Sequence, residues 1–421
     1  MSAVHPPPRP SPARGEGAGR SAASSPSPLA GEGRGGGTRE PQTNRLIYLD
    51  HQATTPLDPR VFDAMRPWLD PAGVGNPHSG THRAGWRAAE AVDAARAEVA
   101  ALIGASPAEI VFTSGATEAN NLALFGASRP GWSVIVSAVE HPSVLDCLPE
   151  LARRGRRSRI VPVDEAGRVD PAAVEAALAE AAGPALVSVM AANNETGTLQ
   201  PFGEIAALCR RRGRGETLFH TDAVQALSTL AVDVSASGID LLSLSGHKLY
   251  GPMGIGALYV RDGVMLEPQS FGGGQQQGRR AGTLPTALCV GLGAACRIAR
   301  AERESDAARL QPLREHLFAM LAAAVPDVRR NGSVEHGLPG CLNVTFPGID
   351  AADLLLDMPE IALSTGSACS STSPGPSHVL LAMGLSPEDA HGSVRFGLGR
   401  GTTESEIDRV AALLFERLKA S

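Results

Sequence analysis

The chain has 421 residues, 43% of them apolar, and 38 basic against 44 acidic side chains give a net charge of −6. That size and balance suit a globular chain with one large and one smaller domain, and they exclude the basic surface a nucleic-acid binder needs. No run approaches the roughly 18 consecutive apolar residues of a membrane helix, and the N-terminus lacks the apolar core of a secretory signal, so a cytoplasmic, membrane-free protein is expected.

Residues 1–44 are mostly Pro, Gly, Ser, Ala and Arg, carry no aromatic, and repeat Ser11-Pro12-Ala13-Arg14-Gly15-Glu16-Gly17 imperfectly at Ser27–Gly33. Such a segment buries too little apolar surface to offset its chain entropy, and we expect it to be disordered. Its Arg and Ser content also suits a transit peptide, although its prolines and glycines oppose the amphipathic helix of such peptides. A start codon assigned too far upstream fits equally well.

From Arg45 short β-rich runs alternate with helical ones. Helical periodicity through Trp86, Val92, Val99 and Ile103 precedes a strand at Glu109–Phe112, a helix from Thr117 and a strand at Ser133–Val139. Further buried strands are expected at Ala185–Met190, Thr217–Phe219, Leu241–Leu244 and Ala257–Val260, with alanine-rich helices such as Pro171–Ala182 between most of them. This alternation predicts an α/β fold with a mostly parallel sheet covered on both faces, whose ligands bind at the carboxyl ends of the strands. Beyond about residue 300 the order becomes two long helices, strands at Asn343–Phe346, Ile361–Leu363 and Ser393–Phe396, a helix from Ala351 and a last helix from Thr403. The expected division is a large α/β domain over 58–302 and a small α+β domain over 45–57 and 303–421.

Several polar groups fall at the strand ends. Lys248, in Ser245-Gly246-His247-Lys248, follows an apolar run and precedes a Gly-Pro turn; it reads as a buried nucleophilic amine or as a lysine whose stem reaches water. Thr113-Ser114-Gly115-Ala116-Thr117-Glu118 reads as a phosphate cradle or as an ordinary helix N-cap. Asp222 could pair with a pyridinium nitrogen or cap a helix, with Gln225 one turn beyond. Asn193-Asn194 could bond a phenolate oxygen or form a turn, and His141 could lie on a planar ring or be a hydrogen-bonded turn residue. No G-x-G-x-x-G follows a strand and no G-x-x-x-x-G-K-[ST] occurs, so a nucleotide cofactor has no support. Taken jointly, the cradle, carboxylate, amide, ring and lysine match the needs of pyridoxal 5′-phosphate.

The six cysteines, at 147, 209, 289, 296, 341 and 369, form no C-x-x-C pair, and neither a disulfide framework nor a zinc site is supported. Five read as core residues. Cys369 lies in the long polar stretch Ser364–Pro376, as an incidental loop cysteine or as a reactive thiolate able to swing over a cofactor.

Together these residues resemble the cysteine desulfurases of the NifS and IscS type, within the class V aminotransferase-like family of pyridoxal-phosphate enzymes. The resemblance runs from Tyr48 to about Leu418. It rests on Tyr48-Leu49-Asp50, Ala53-Thr54-Thr55-Pro56, Gly75-Asn76-Pro77, Phe112–Glu118, Asn193–Gly197, Asp222–Gln225, Ser243–Gly256, Ser367-Ala368-Cys369-Ser370 and Ser393–Phe396. It implies the type I fold of these enzymes, an αβα sandwich with a smaller domain, and conversion of L-cysteine to L-alanine with sulfur carried as a persulfide. Lys248 would be the Schiff-base lysine and Cys369 the persulfide carrier. Ala116, Thr117, Ser245 and His247 would hold the phosphate, with Thr283 crossing from the second subunit of a homodimer. Asp222 would pair with the pyridine nitrogen, Gln225 with the phenolic oxygen, and His141 would stack on the ring and could handle protons. Asn194 would contact cofactor and substrate, and Arg395 the substrate carboxylate. No resident metal is implied, although Cys369 could touch a cluster transiently. The sulfur acceptor would be an iron–sulfur scaffold or a tRNA-thiolation protein. A selenocysteine lyase, or another class V enzyme, is the alternative.

The chain departs from the family in two places. Gln275-Gln276-Gln277-Gly278 stands where the family has Gln/His-Glu-Arg-Gly, which puts the dimer-facing contacts in question. The sequence stops at Ser421, so the tail by which housekeeping members engage their scaffold is not expected, and the resemblance does not carry over the acceptor.

Overall fold

The computed structural model describes residues 46–181, 183–213, 216–365 and 375–419; the expectation for residues 1–44 lies outside them. Its strands are β1 (Ile47–Tyr48), β2 (Ile110–Thr113), β3 (Ser133–Ser137), β4 (Arg157–Val161), β5 (Ala185–Ser188), β6 (Thr217–Asp222), β7 (Leu241–Ser245), β8 (Gly256–Val260), β9 (Arg329–Asn331), β10 (Cys341–Thr345), β11 (Ile361–Ala362) and β12 (Ser393–Gly397).

Seven of them form one sheet in the order β2-β8-β7-β6-β5-β3-β4. The pairs β4–β3, β3–β5, β5–β6 and β6–β7 are parallel, while β8 runs against both β7 and β2. The sheet is therefore mostly parallel, as expected, and β8 alone is reversed. Runs such as Leu241–Ser245 and Ile110–Thr113 are buried along their whole length, as strands covered on both faces must be. β4 escaped the sequence reading because four of its five residues, Arg157–Ile160, are exposed, so its pattern is that of an edge strand.

Local chemistry sets the helix boundaries. Arg83–Ile103 stops at Gly104, whose φ of +69° is the left-handed conformation that only glycine adopts cheaply. Glu404–Leu418 starts with a reciprocal capping box between Thr403 and Glu406.

The expectation of two long helices after residue 300 is corrected. One helix, Thr286–Ala324, spans 39 residues with Pro312 inside it. The proline forfeits a backbone hydrogen bond, but burial of Leu310, Leu317 and Leu321 on one stripe carries the helix through. Its first half, with Cys289, Leu292 and Cys296, packs into the core under the large sheet. Its second half packs into another core with Leu342, Val344, Phe396 and Val410, beneath the antiparallel sheet β12-β10-β9. Residues 302 and 303 thus both lie inside this helix.

Candidate active site

Strands β2 to β7 all end at one edge of the large sheet, and residues at or after the ends of β2, β3, β5, β6 and β7 line a cavity of about 490 Å3. Ala116, Thr117, His141, Asn194, Asp222, Gln225, Ser245, His247, Lys248 and Arg395 all line it. Thr283 is exposed and does not. Cys369 lies outside the described residues.

One end of the cavity is built to receive an anion. The helix Ala116–Ala127 begins at Gly115 with no side-chain cap, so its first N–H groups remain available. The alternative of a Thr or Ser cap does not hold here. Thr113 spends its hydroxyl on the carbonyl of Gly115 at 2.9 Å, and Glu118 turns back to the N–H of Ser114 at 2.7 Å. Ser245 ends β7 beside this corner. Gly256 lets β8 approach it, since a Cβ there would lie 2.8 Å from Gly115 Cα and 2.5 Å from the carbonyl oxygen of Leu244.

Asp222 forms part of the cavity wall and is 6% exposed. It accepts the N–H of Val224 at 3.0 Å on Oδ1 and Nδ2 of Asn120 at 2.7 Å on Oδ2. It thus closes a turn and caps no helix. Two residues earlier, His220 is clamped between the hydroxyls of Ser188 and Ser243, and burial pushes its pKa down to about 3, so it stays neutral inside the sheet.

Lys248 ends the turn Gly246–Lys248 that follows β7, and its Nζ donates to the carbonyl of Gln52. That carbonyl also accepts Nε2 of Gln225 at 3.0 Å. The Nδ1 of His247 lies 3.1 Å from the Thr54 hydroxyl, and burial, helped by the charge of Lys248, pushes its imidazole down to about 4. His141 is also held below its usual value, chiefly by burial; Asp222 opposes the shift and Lys248 adds to it. Arg395, 2% exposed, donates to Asp50 at 2.7 Å and to the carbonyl of Asn194 at 2.9 Å.

The arrangement fits pyridoxal phosphate. An uncapped helix end with hydroxyls suits its phosphate, a buried carboxylate suits its ring nitrogen, and an amine lies within the same cavity.

Both ends of the stretch that carries Cys369 are tied to this site. Ser364 exchanges backbone hydrogen bonds with Arg395, and on the far side Ser377 donates to the Glu195 carboxylate at 2.5 Å. His378 Nε2 lies 3.0 Å from the carbonyl of Glu140. The five described cysteines are buried, and burial pushes Cys147 up to about 11 and Cys209, Cys289 and Cys341 up to about 12, which leaves them inert as nucleophiles.

Gln52, Asn120 and Ser143 were missed in sequence. Asn120 had a signal, since it lies four residues after Ala116 and so on the same helix face. Gln52 had none, because its contribution is a backbone carbonyl.

The class V aminotransferase family model matches residues 47–410. A cysteine desulfurase of Pongo abelii is 47% identical over 381 residues, covering 89% of this chain and 82% of its own. A cysteine desulfurase IscS of Anaeromyxobacter dehalogenans is 46% identical, covering 89% and 92%. A solved NifS-like protein superposes with a TM-score of 0.82 at 34% identity, covering 89% of this chain and all of its own. The chain belongs to the class V aminotransferase family and, within it, to the cysteine desulfurases.

Proposed function

We propose that the chain takes sulfur from L-cysteine, releases L-alanine and carries the sulfur as a persulfide on Cys369. The observation that supports this reading is the pairing of Ser364, where the stretch that carries Cys369 begins, with Arg395 in the wall of the cavity that also holds Lys248. Lys248 lies in the cavity wall, and Ser364, which is paired with Arg395 of the same wall, is five residues from Cys369.

Ala116, Thr117, Ser245 and His247 would hold the phosphate of pyridoxal phosphate, Asp222 its ring nitrogen, Gln225 its phenolic oxygen, and Lys248 its aldehyde carbon. When bound, that group supplies a carbon that takes the substrate amine and a pyridinium ring that accepts electrons from Cα. The chain's own residues do the rest. Arg395 and Asn194 orient the substrate carboxylate, and the amine of Lys248 takes the Cα proton. The Cys369 thiolate attacks the substrate sulfur, so an S–S bond forms as the C–S bond breaks. The electron pair left on carbon is protonated, giving alanine.

The wider reading is a homodimer in which Thr283 reaches the partner's phosphate site, acting in the cytoplasm on an acceptor of iron–sulfur assembly or tRNA thiolation. Its support is the exposure of Thr283 away from its own cavity, and no helix of the described residues is long and apolar enough to cross a membrane. Intact mass after incubation with L-cysteine and cofactor tests the central claim. One added sulfur is expected, and its persistence in Cys369→Ser would overturn the assignment.

A further inference from the structure

The hydrogen-bond chain between Asp222 and His141 has a fixed direction. Both oxygens of Asp222 accept, from Val224 and from Asn120. A carboxylate has no hydrogen to give, so Asn120 must face it through its amide nitrogen. The second hydrogen of that nitrogen goes to the Ser143 hydroxyl oxygen at 2.8 Å. The Ser143 hydroxyl is thereby an acceptor from Asn120, and its own hydrogen is left for Nδ1 of His141, 2.8 Å away. The backbone N–H of Ser143 points at the same Nδ1 from 3.0 Å. Two donors converge on one ring nitrogen, which must then carry its lone pair, and the ring hydrogen belongs on Nε2.

We infer that Asn120 and Ser143 are positioning residues that hold His141 as the Nε2–H tautomer, so that it offers the cavity a hydrogen-bond donor and no base. On the function proposed above, which this step assumes only in naming what occupies the cavity, a substrate sulfur meeting His141 receives an N–H. Proton abstraction then falls to the amine of Lys248.

The groups acting on the ring come from several elements. Asp222 and Lys248 stand at neighbouring strand ends, His378 begins the helix His378–Ala382, and Asp146 follows the short helix after His141. The neighbouring Glu140 is turned away toward Ser137 and Met190.

The test is a long-range 1H–15N spectrum of the cofactor-loaded full chain labelled at histidine nitrogen, with His141→Gln to assign the signal. Wild type is expected to show a protonated Nε2 and a bare Nδ1 near neutral pH. Ser143→Ala removes a donor to the Nδ1 lone pair, which makes protonation there easier and should raise the His141 midpoint by ~0.5–1 pH unit. Ser143→Thr, which keeps the hydroxyl, should restore it. An Nδ1–H signal in wild type, or a midpoint unchanged or lowered in Ser143→Ala, overturns the inference. No cysteine is added, so this result stands apart from the persulfide experiment.

Discussion

Asp50 and Arg395, 345 residues apart in the chain, form an ion pair at 2.7 Å. Asp50 follows β1 and Arg395 lies in β12, so this contact helps fasten the first described strand to the wall of the cavity. Arg395 Nε is buried and has no partner among the described residues. Loss of one partner from a buried pair costs about 3–5 kcal/mol, because the other charge is left behind. Asp50 is 19% exposed at its side chain, which places Asp50→Ala at the low end of that range. Urea denaturation checks it, and a loss below about 1 kcal/mol would count against the pair.

Ser377 and Glu195 make the second tie. Burial raises the Glu195 carboxyl above its usual range, and Ser377 opposes that shift by donating to it. In Ser377→Ala the far anchor of the Cys369 segment is lost. We expect persulfide formation to slow several-fold in rapid-quench mass spectrometry, while the first absorbance change on adding cysteine is kept. Equal slowing of both steps would show a general defect.

Thiol titration under native conditions offers a simpler check. The five described cysteines are buried with raised pKa values, so one fast-reacting thiol per chain is expected, and Cys369→Ser should remove it. A fast thiol surviving that substitution would contradict the assignment.

The sequence showed most of this site because strand ends carry small motifs whose residue types match one chemistry. The parallel arrangement was legible from short apolar runs of three to seven residues, and ten of the expected site residues do line one cavity. Connections made through backbone carbonyls, such as Gln52 with Lys248 and Asn194 with Arg395, leave no trace in side-chain types. The continuous helix through Pro312 was hidden for a different reason, since only packing against two cores shows that it survives its proline.

The neutral Gln276, where the resemblance led us to expect a glutamate, has a purpose in the fold. Its Oε1 accepts the N–H of Phe112 at 2.7 Å and its Nε2 donates to the carbonyl of the same residue at 2.8 Å. Phe112 belongs to β2 at the open edge of the sheet, so the amide satisfies that edge as a neighbouring strand would. A carboxylate could not donate the second bond. Gln276→Ala is expected to cost about 1–3 kcal/mol by chemical denaturation and to promote association detectable by light scattering. An unchanged midpoint would deny the edge-capping role.

Glu140 makes a pH prediction. Fully buried, it is raised from the ordinary carboxyl value to about 8, with only partial relief from Ser137 and Met190. The folded state then holds a proton that the unfolded chain releases near 4.5. Its contribution is complete below that pH and is lost as pH climbs toward about 8, with a slope of at most about 1.4 kcal/mol per unit. Glu140→Gln should therefore flatten the decline in stability between pH 5 and pH 8, roughly the window this shift opens. A decline as steep as in wild type would place the titrating group elsewhere.

The helix Thr286–Ala324 also bears on how the cavity works. Asp222 and Lys248 come from one sheet and Arg395 from the other, while this single rod is embedded in the cores beneath both. The spacing between Lys248 and Arg395 is thus set by a common beam. On the roles proposed above, in which Arg395 takes the substrate carboxylate, selectivity for the length of an amino-acid backbone would be machined into that scaffold before any ligand arrives.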